Sequence, residues 1–287
     1  MSSRVSKKLV LLEQWSRGIA EIAAAEGSEQ FVVALLTGVR RLVNVDFLMV
    51  FAYRDTARPL LLGDTLDAPR HRIIANDYAA GPFMLDPFFR LVKEGQKSGC
   101  HRLRDIAPDH FRRSEYFRLH YSRTGIAEEL GIYFDLGGGL TGVTSFARWN
   151  GSPPVLRGEI EILQATAPAI GALCAARWQN VHGVRELSQR TAQEHLGFRA
   201  LSAREREIVT LILQGHSSES IALKLDISPG TVKIHRKNIH RKMRISTQAE
   251  LFAAFMGLSA PTRVQAAYSP RDMAPVPEIT HVQRKAI

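Results

Sequence analysis

Apolar residues recur at three- and four-residue spacing in the first part of the chain. Leu9, Leu12, Ile19, Ile22 and Ala23 form one set and Phe31, Leu35, Val39 and Leu42 another, with Gly27-Ser28 between them. That spacing matches the period of an α-helix, so two helices are expected ahead of the first strand. The pattern then changes. Phe47 to Tyr53 is almost continuously apolar and stops at Arg54-Asp55; after Pro59 a short run from Leu60 to Leu62 completes what reads as a hairpin. From Ala68 to Arg123 the chain mixes aromatic and basic residues and is punctuated by Pro69, Gly81-Pro82, Pro87 and Pro108, which predicts short helices and loops covering one sheet face. Two better strands, Ala127 to Leu136 and Thr141 to Trp149, join through Gly137-Gly138-Gly139. After Pro153-Pro154 a long helix is signalled by Leu156, Ile160, Leu163, Ala167, Ile170, Cys174 and Trp178. The order predicts an α+β sensor-like domain over residues 1–180, an antiparallel sheet sandwiched by helices.

A second pattern begins at Leu201. Ser202 followed by Glu205 is a capping box, in which the hydroxyl accepts from the Glu205 N–H and the carboxylate returns to the Ser202 N–H. The helix it starts has Ile208, Leu211 and Ile212 as its apolar stripe and Gly215 as its stop. A short helix follows with Ile221, Ala222 and Leu225. Ser228-Pro229 then starts a third, running to about Arg244, with Ser as N-cap and Pro where a missing N–H costs nothing. Val232, Ile239 and Met243 fall on one side of it, and Lys233, Ile234, Lys237 and Arg241 on another. A fourth helix after Ser246-Thr247 carries Leu251, Phe252, Phe255 and Met256. Residues 181–199 are polar and read as a linker; residues 259–287 hold four prolines without apolar periodicity and read as a disordered tail.

Composition sharpens this picture only in places. The chain has 287 residues, enough for about two domains, and its 45% hydrophobic and 23% charged content is that of a folded globular protein. The net charge of +10 predicts a polyanionic partner without choosing one. The choice comes from the interval Ile227 to Ala249, which contains six Lys or Arg and no acid. Two short helices joined by a tight turn, the second capped and cationic, is the geometry that places a recognition helix in the major groove. Cys100 and Cys174 are too few for a disulfide framework or a thiolate metal site and are expected as apolar thiols in a reducing compartment. The apolar run Leu9 to Leu12 is too short for a signal peptide, and no stretch approaches a membrane span, so a cytoplasmic protein without a membrane partner is expected. Gly137, Gly139 and Gly142 satisfy G-x-G-x-x-G between two strands, where a hairpin turn is the better reading. With no P-loop, no metal-ligand spacing and no nucleophile elbow, an enzyme, a metal and a cofactor are not expected.

The runs Leu201 to Ile208, Ser220 to Ser228 and Thr231 to Ile239 resemble the LuxR-type helix-turn-helix domain at nearly every patterned position. The resemblance implies an all-α, four-helix DNA-binding domain over residues 200–258 whose third helix reads bases and whose fourth mediates dimerisation on a two-fold operator. Carried over by position, Lys233, Ile234 and Lys237 would approach base edges, and Thr231, His235, Arg236 and Arg241 would hold phosphates. A homodimer on double-stranded DNA follows as the expected state, with RNA polymerase a further candidate partner.

The stretch Asp77-Tyr78, Phe83, Leu85-Asp86-Pro87-Phe88-Phe89 and the strands that follow resemble the autoinducer-binding domain of the quorum-sensing LuxR regulators. In that family an Asp at this place receives an amide N–H of an acyl-homoserine lactone, which makes Asp86 the leading ligand candidate. The chain departs from the family nearby. Ile73 and Asp77 stand approximately where a Trp and a Tyr are expected, Tyr78 is one residue off, and His101 lies near the place of another Trp. The effector is therefore expected to be a small molecule other than a standard acyl-homoserine lactone. Asp86, with Asp77 near it, suits a ligand carrying N–H donors or a cation; Tyr78, Phe83, Phe88, Phe89 and Tyr116 are the aromatic candidates. Two alternatives stay open: Asp86 as a plain N-cap before Pro87 with the phenylalanines as core, and a ligand-independent regulator whose N-terminal domain serves dimerisation or partner recruitment.

Overall fold

The computed structural model describes residues 2–54, 57–179 and 200–255, with side chains from Leu9 onward. The linker expected at 181–199 and the tail expected at 259–287 lie outside the described residues. Two helices, α1 (Ser2–Ala24) and α2 (Gly27–Arg40), lead into the hairpin β1 (Phe47–Tyr53) and β2 (Leu60–Asp64). After an irregular stretch come β4 (Ile126–Gly137), β5 (Leu140–Trp149) and the long helix α7 (Arg157–Trp178). The strands form one sheet in the order β2-β1-β5-β4-β3, antiparallel throughout, with β3 (Gly99–Arg102) at the edge beside β4. The β3 strand was not foreseen, because Gly-Cys-His-Arg shows no apolar alternation; beyond its backbone ladder it is held to β4 by the Arg102–Glu128 ion pair at 2.5 Å and by His101 edge-on to Tyr133.

The sheet separates two apolar layers, and residue alternation decides which side chain joins which. Leu48, Val50, Leu130, Ile132 and Phe134 face α2 and α7, where Trp178 packs edge-on against Phe31. Arg148, 2% exposed, fastens that layer: it donates to the Asn44 carbonyl at 2.5 Å and to Glu159 at 2.6 Å, joining β5, the α2–β1 loop and the start of α7.

Met49, Phe51, Tyr53, Tyr133 and Val143 face the other way, under the irregular layer. That layer is made of the short helices α3 (Ala68–His71), α4 (Pro87–Lys93), α5 (Leu103–Ile106) and α6 (Glu115–Leu119), with a π-helical turn at Arg72–Asp77 and 3₁₀ turns around Pro82–Leu85, Phe111–Arg113 and Tyr121–Arg123. Frequent prolines and the absence of a 3.6 period explain why no longer helix forms there. Gly131 on β4 lets this layer close onto the sheet, since a Cβ there would sit 2.7 Å from the Phe88 ring.

The C-terminal unit is four helices, α8 (Ala203–Gln214), α9 (Ser218–Leu225), α10 (Pro229–Met243) and α11 (Gln248–Phe255). The capping box forms as expected, with Glu205 N–H donating to Ser202 Oγ at 3.2 Å and Ser202 N–H to Glu205 Oε2 at 2.8 Å. Val232 and Ile239 are fully buried on α10. Gly215 stops α8 with φ +98°; Asp226 and Arg244 end α9 and α10 in the same left-handed region without being glycine. This unit rests on the irregular layer. Helices α8 and α11 pack against α6, and the apolar cluster runs without a break from Phe111 and Tyr116 to Ile212 and Phe252. The His110 N–H donates to the Gly215 carbonyl at 3.0 Å, and the Ser217 N–H to Asp109 Oδ1 at 3.2 Å.

Candidate functional site

Helix α10 is built by its caps. Ser228 Oγ accepts from the Thr231 N–H at 3.0 Å, Pro229 fills the first helical position, and buried Val232 and Ile239 fix which face turns inward. Lys233, Ile234, Lys237 and Arg241 are all exposed on the opposite side, Ile234 by 63%. An apolar side chain held that far into solvent between lysines matches what contact with a thymine methyl requires. Thr231, His235 and Arg236 are half-buried flankers; Arg236 faces the groove between the two units, beside His110, Arg113 and Glu219. Lys242 pairs with Glu205 at 2.7 Å, a buried carboxylate held below its usual range first by that contact. Its job is to join α10 to α8.

Beneath the irregular layer lies a cavity of about 20 Å³, room for little more than one water. Asp86 points one oxygen at it and uses the other as the N-cap of α4: Oδ1 accepts from the Phe88 N–H at 2.8 Å and Oδ2 from the Tyr78 hydroxyl at 2.7 Å. Asp86 is thus the N-cap of α4 and a wall of the cavity at once. The Tyr53 hydroxyl continues the chain, 2.7 Å from that of Tyr78. The π-helical turn immediately before Tyr78 sets its position, and such turns often occur at functional sites.

Of the six side chains named from sequence, Tyr78, Asp86 and Tyr116 line the cavity. Phe83, Phe88 and Phe89 are buried at 4% exposure or less and pack as core behind it, Phe83 edge-on to Phe89. The second acid is also different from the one expected. Asp77 stands half-buried outside the cavity, and the carboxylate that joins Asp86 is Glu129 on β4, 4% exposed, accepting from the Tyr121 hydroxyl at 3.1 Å. Sequence reasoning passed over Glu129, Tyr53, His120 and Tyr121. Alternation alone would have found Glu129, because it shares a face with Tyr133 opposite Leu130 and Ile132.

The electrostatics of the cavity follow from dryness. Burial raises Asp86 to about 6 against the lowering pull of Tyr78 and the Phe88 N–H. Burial and then the neighbouring Asp86 charge raise Glu129 to about 8. His120, 2% exposed, is pushed down to about 3 by burial and the Arg123 charge, so its imidazole is neutral, and its Nδ1 has no hydrogen-bond partner among the described residues. The two thiols stand apart from this chemistry: burial raises Cys100 and Cys174 alike to about 12.

Residues 199–255 match the GerE family, described as bacterial regulatory proteins of the luxR family. An HTH-type transcriptional regulator from the exeN 3′ region of Aeromonas salmonicida is 32% identical over 185 residues, which take in 60% of this chain and 93% of that relative. The chain belongs to the luxR family of bacterial regulatory proteins. The response regulator protein TodT of Pseudomonas putida is 37% identical over 93 residues, 32% of this luxR-family chain and 37% of TodT, so the chain spans about a third of that relative's length. The LBD domain of VqsR from Pseudomonas aeruginosa matches in fold with a TM-score of 0.50 at 19% identity, covering 60% of this chain and 96% of that domain. A luxR-family DNA-binding transcriptional regulator with an N-terminal unit of that fold is what the chain is. Among the described residues no helix is long and apolar enough to cross a membrane.

Proposed function

We propose that this luxR-family regulator binds a two-fold operator as a homodimer through α10 and that a small ligand under the irregular layer modulates that binding. Lys233, Ile234 and Lys237 contact base edges in this reading; Thr231, His235, Arg236 and Arg241 hold phosphates; RNA polymerase is met at the promoter. The observation that carries ligand control is the double use of α6. Tyr116 in its first turn and His120 at its C-cap line the cavity, while α8 and α11 rest against the same helix. A ligand that displaces those two rings moves the floor on which the DNA-binding unit stands, which is the differential contact any coupling needs. The domains are taken as 1–180 and 200–258 with the linker between.

The test is fluorescence anisotropy on an operator selected from random duplexes. A Lys233/Lys237 double alanine variant is expected to lose affinity and discrimination together; unchanged binding would remove α10 as the reader. The cavity's small volume favours a second reading, a ligand-independent regulator whose N-terminal unit only dimerises. Operator affinity that no small molecule alters, in the wild type or in Asp86→Ala, would establish that second reading instead.

A further inference from the structure

Four carboxylates are buried among the described residues: Asp86, Glu115, Glu129 and Glu205. Two have cations beside them. Glu115 lies 3.4 Å from Arg118 and Glu205 lies 2.7 Å from Lys242. The two that share the cavity have none; they are served only by hydroxyls and a backbone N–H, and no Lys or Arg lines the space between them. A buried acid without a counter-charge is costly, and here two are set against one void from unconnected elements, a strand and a helix cap. His120, the histidine on the wall, is not the missing cation, since its ring is dry and neutral. Its Nδ1 is an unused nitrogen at the same cavity.

We propose that the ligand is a small organic ammonium ion, a primary or secondary amine on a short apolar body, whose N–H donors are received by Asp86, Glu129 and His120. This rests on the reading of the N-terminal unit as ligand-binding and goes further by naming the charge of the ligand and Glu129 as the residue that selects it. Three acceptors match the three N–H donors of a primary ammonium. Tyr53, Tyr78, Tyr116 and Tyr121 surround them with ring faces suited to a cation and hydroxyls able to turn toward a carboxylate. The existing void accepts the charged head. The body must displace the covering layer, and α6 in that layer is a five-residue helix flanked by 3₁₀ turns, so binding and displacement of α6 are one event. Because Glu129 holds a proton at neutral pH, arrival of the cation expels it.

The full chain would be titrated with n-hexylamine and 2-phenylethylamine, with n-hexanol and 2-phenylethanol as neutral isosteres, and with N-hexanoyl-homoserine lactone. Thermal midpoint and calorimetry in two buffers of different ionisation heat are the readouts. The amines are expected to raise the midpoint saturably, to bind at least tenfold more tightly than the alcohols, and to release close to one proton at pH 7. Glu129→Gln should abolish the proton release and weaken the amines at least tenfold while leaving the alcohols unchanged; Glu129→Asp, which keeps the charge, should weaken them less. Alcohols or lactone binding as well as the amines, or amine binding indifferent to Glu129→Gln, would overturn the cation assignment and leave the ligand reading intact. No midpoint shift with any of the five probes would overturn both.

Discussion

Replacing Glu129 by Gln should change how stability depends on pH, in a window that other groups leave largely clear. An acid whose native pKa lies above its unfolded value holds its proton more tightly when folded. Its contribution is fully present below the unfolded value and is lost as pH climbs to the native one. For Glu129 that loss runs from an unfolded pKa of about 4.3 up to about 8. Asp86 acts in the same sense, but its loss is complete near 6. His120 acts oppositely: pushed down to about 3, it favours the native state increasingly as pH rises toward the unfolded histidine value of about 6.5 and then little further. His216, lowered to about 4 by burial first, is nearly silent above the same point. The tyrosines of the cavity are raised by burial and titrate far higher. His101, lowered by burial, follows the same course as His120, so between pH 6.5 and 8 the loss from Glu129 runs against only the last part of the histidine gain. Across about 1.5 pH units at 1.36 kcal/mol each, it removes roughly 2 kcal/mol. For a unit of this size that is about 4–8 °C of midpoint. Thermal unfolding of the full chain followed by far-UV circular dichroism at the two pH values would show the fall, and Glu129→Gln should flatten it. A variant that keeps the fall, or a wild type that gains stability over this window, would refute the assignment of a dry, proton-holding Glu129.

Three further outcomes are expected. Lys237→Ala should weaken operator binding and blur discrimination at its base pair by about 1–3 kcal/mol, whereas Arg241→Ala should lower affinity evenly over sequences and reduce the salt slope by about one; equal effects from both would contradict the division of roles. Gly215→Ala places a Cβ 2.9 Å from the His110 carbonyl oxygen and from Ser114, in backbone at φ +98°, so it should separate the two units, with a larger radius of gyration in small-angle scattering and faster proteolysis between them. A scattering profile identical to wild type would refute that. Ser202→Ala should cost the C-terminal unit about 1 kcal/mol through loss of its cap without changing the scattering, which separates local destabilisation from undocking; the measurement is urea unfolding of both proteins.

The elements were legible wherever one period ran long enough. Both N-terminal helices, the two hairpins, α7 and the four C-terminal helices came from apolar spacing and caps, because in each a local rule and the tertiary packing ask for the same residues. The exposure of Lys233, Ile234 and Lys237 was legible for the same reason, since Val232 and Ile239 determine the buried face. The cavity was harder. Phe83, Phe88 and Phe89 look like ligand walls because they adjoin Asp86 in sequence, yet a helix turns adjacent residues away from one another, and the three pack as core. Glu129 shares the Tyr133 face of β4, so alternation assigns it to the covered side; its charge makes it read as exposed, and the layer that covers it has no periodicity of its own. Tyr78 lay one place off the position expected for it, and the wide π-helical turn ahead of it is not written in any residue type.

The contact between His110 and Gly215 joins one main-chain N–H to one main-chain carbonyl, and the Cβ position of Gly215 is closed by the facing strand of chain. A joint of that kind is indifferent to most side chains around it. Cavity residues away from α6 can therefore change while this main-chain contact stays the same, provided glycine stays at position 215, whereas Tyr116 and His120 tie the cavity to the seat itself. In the proposed reading, ligand choice at those other positions can then evolve on a separate schedule from signal output within one chain.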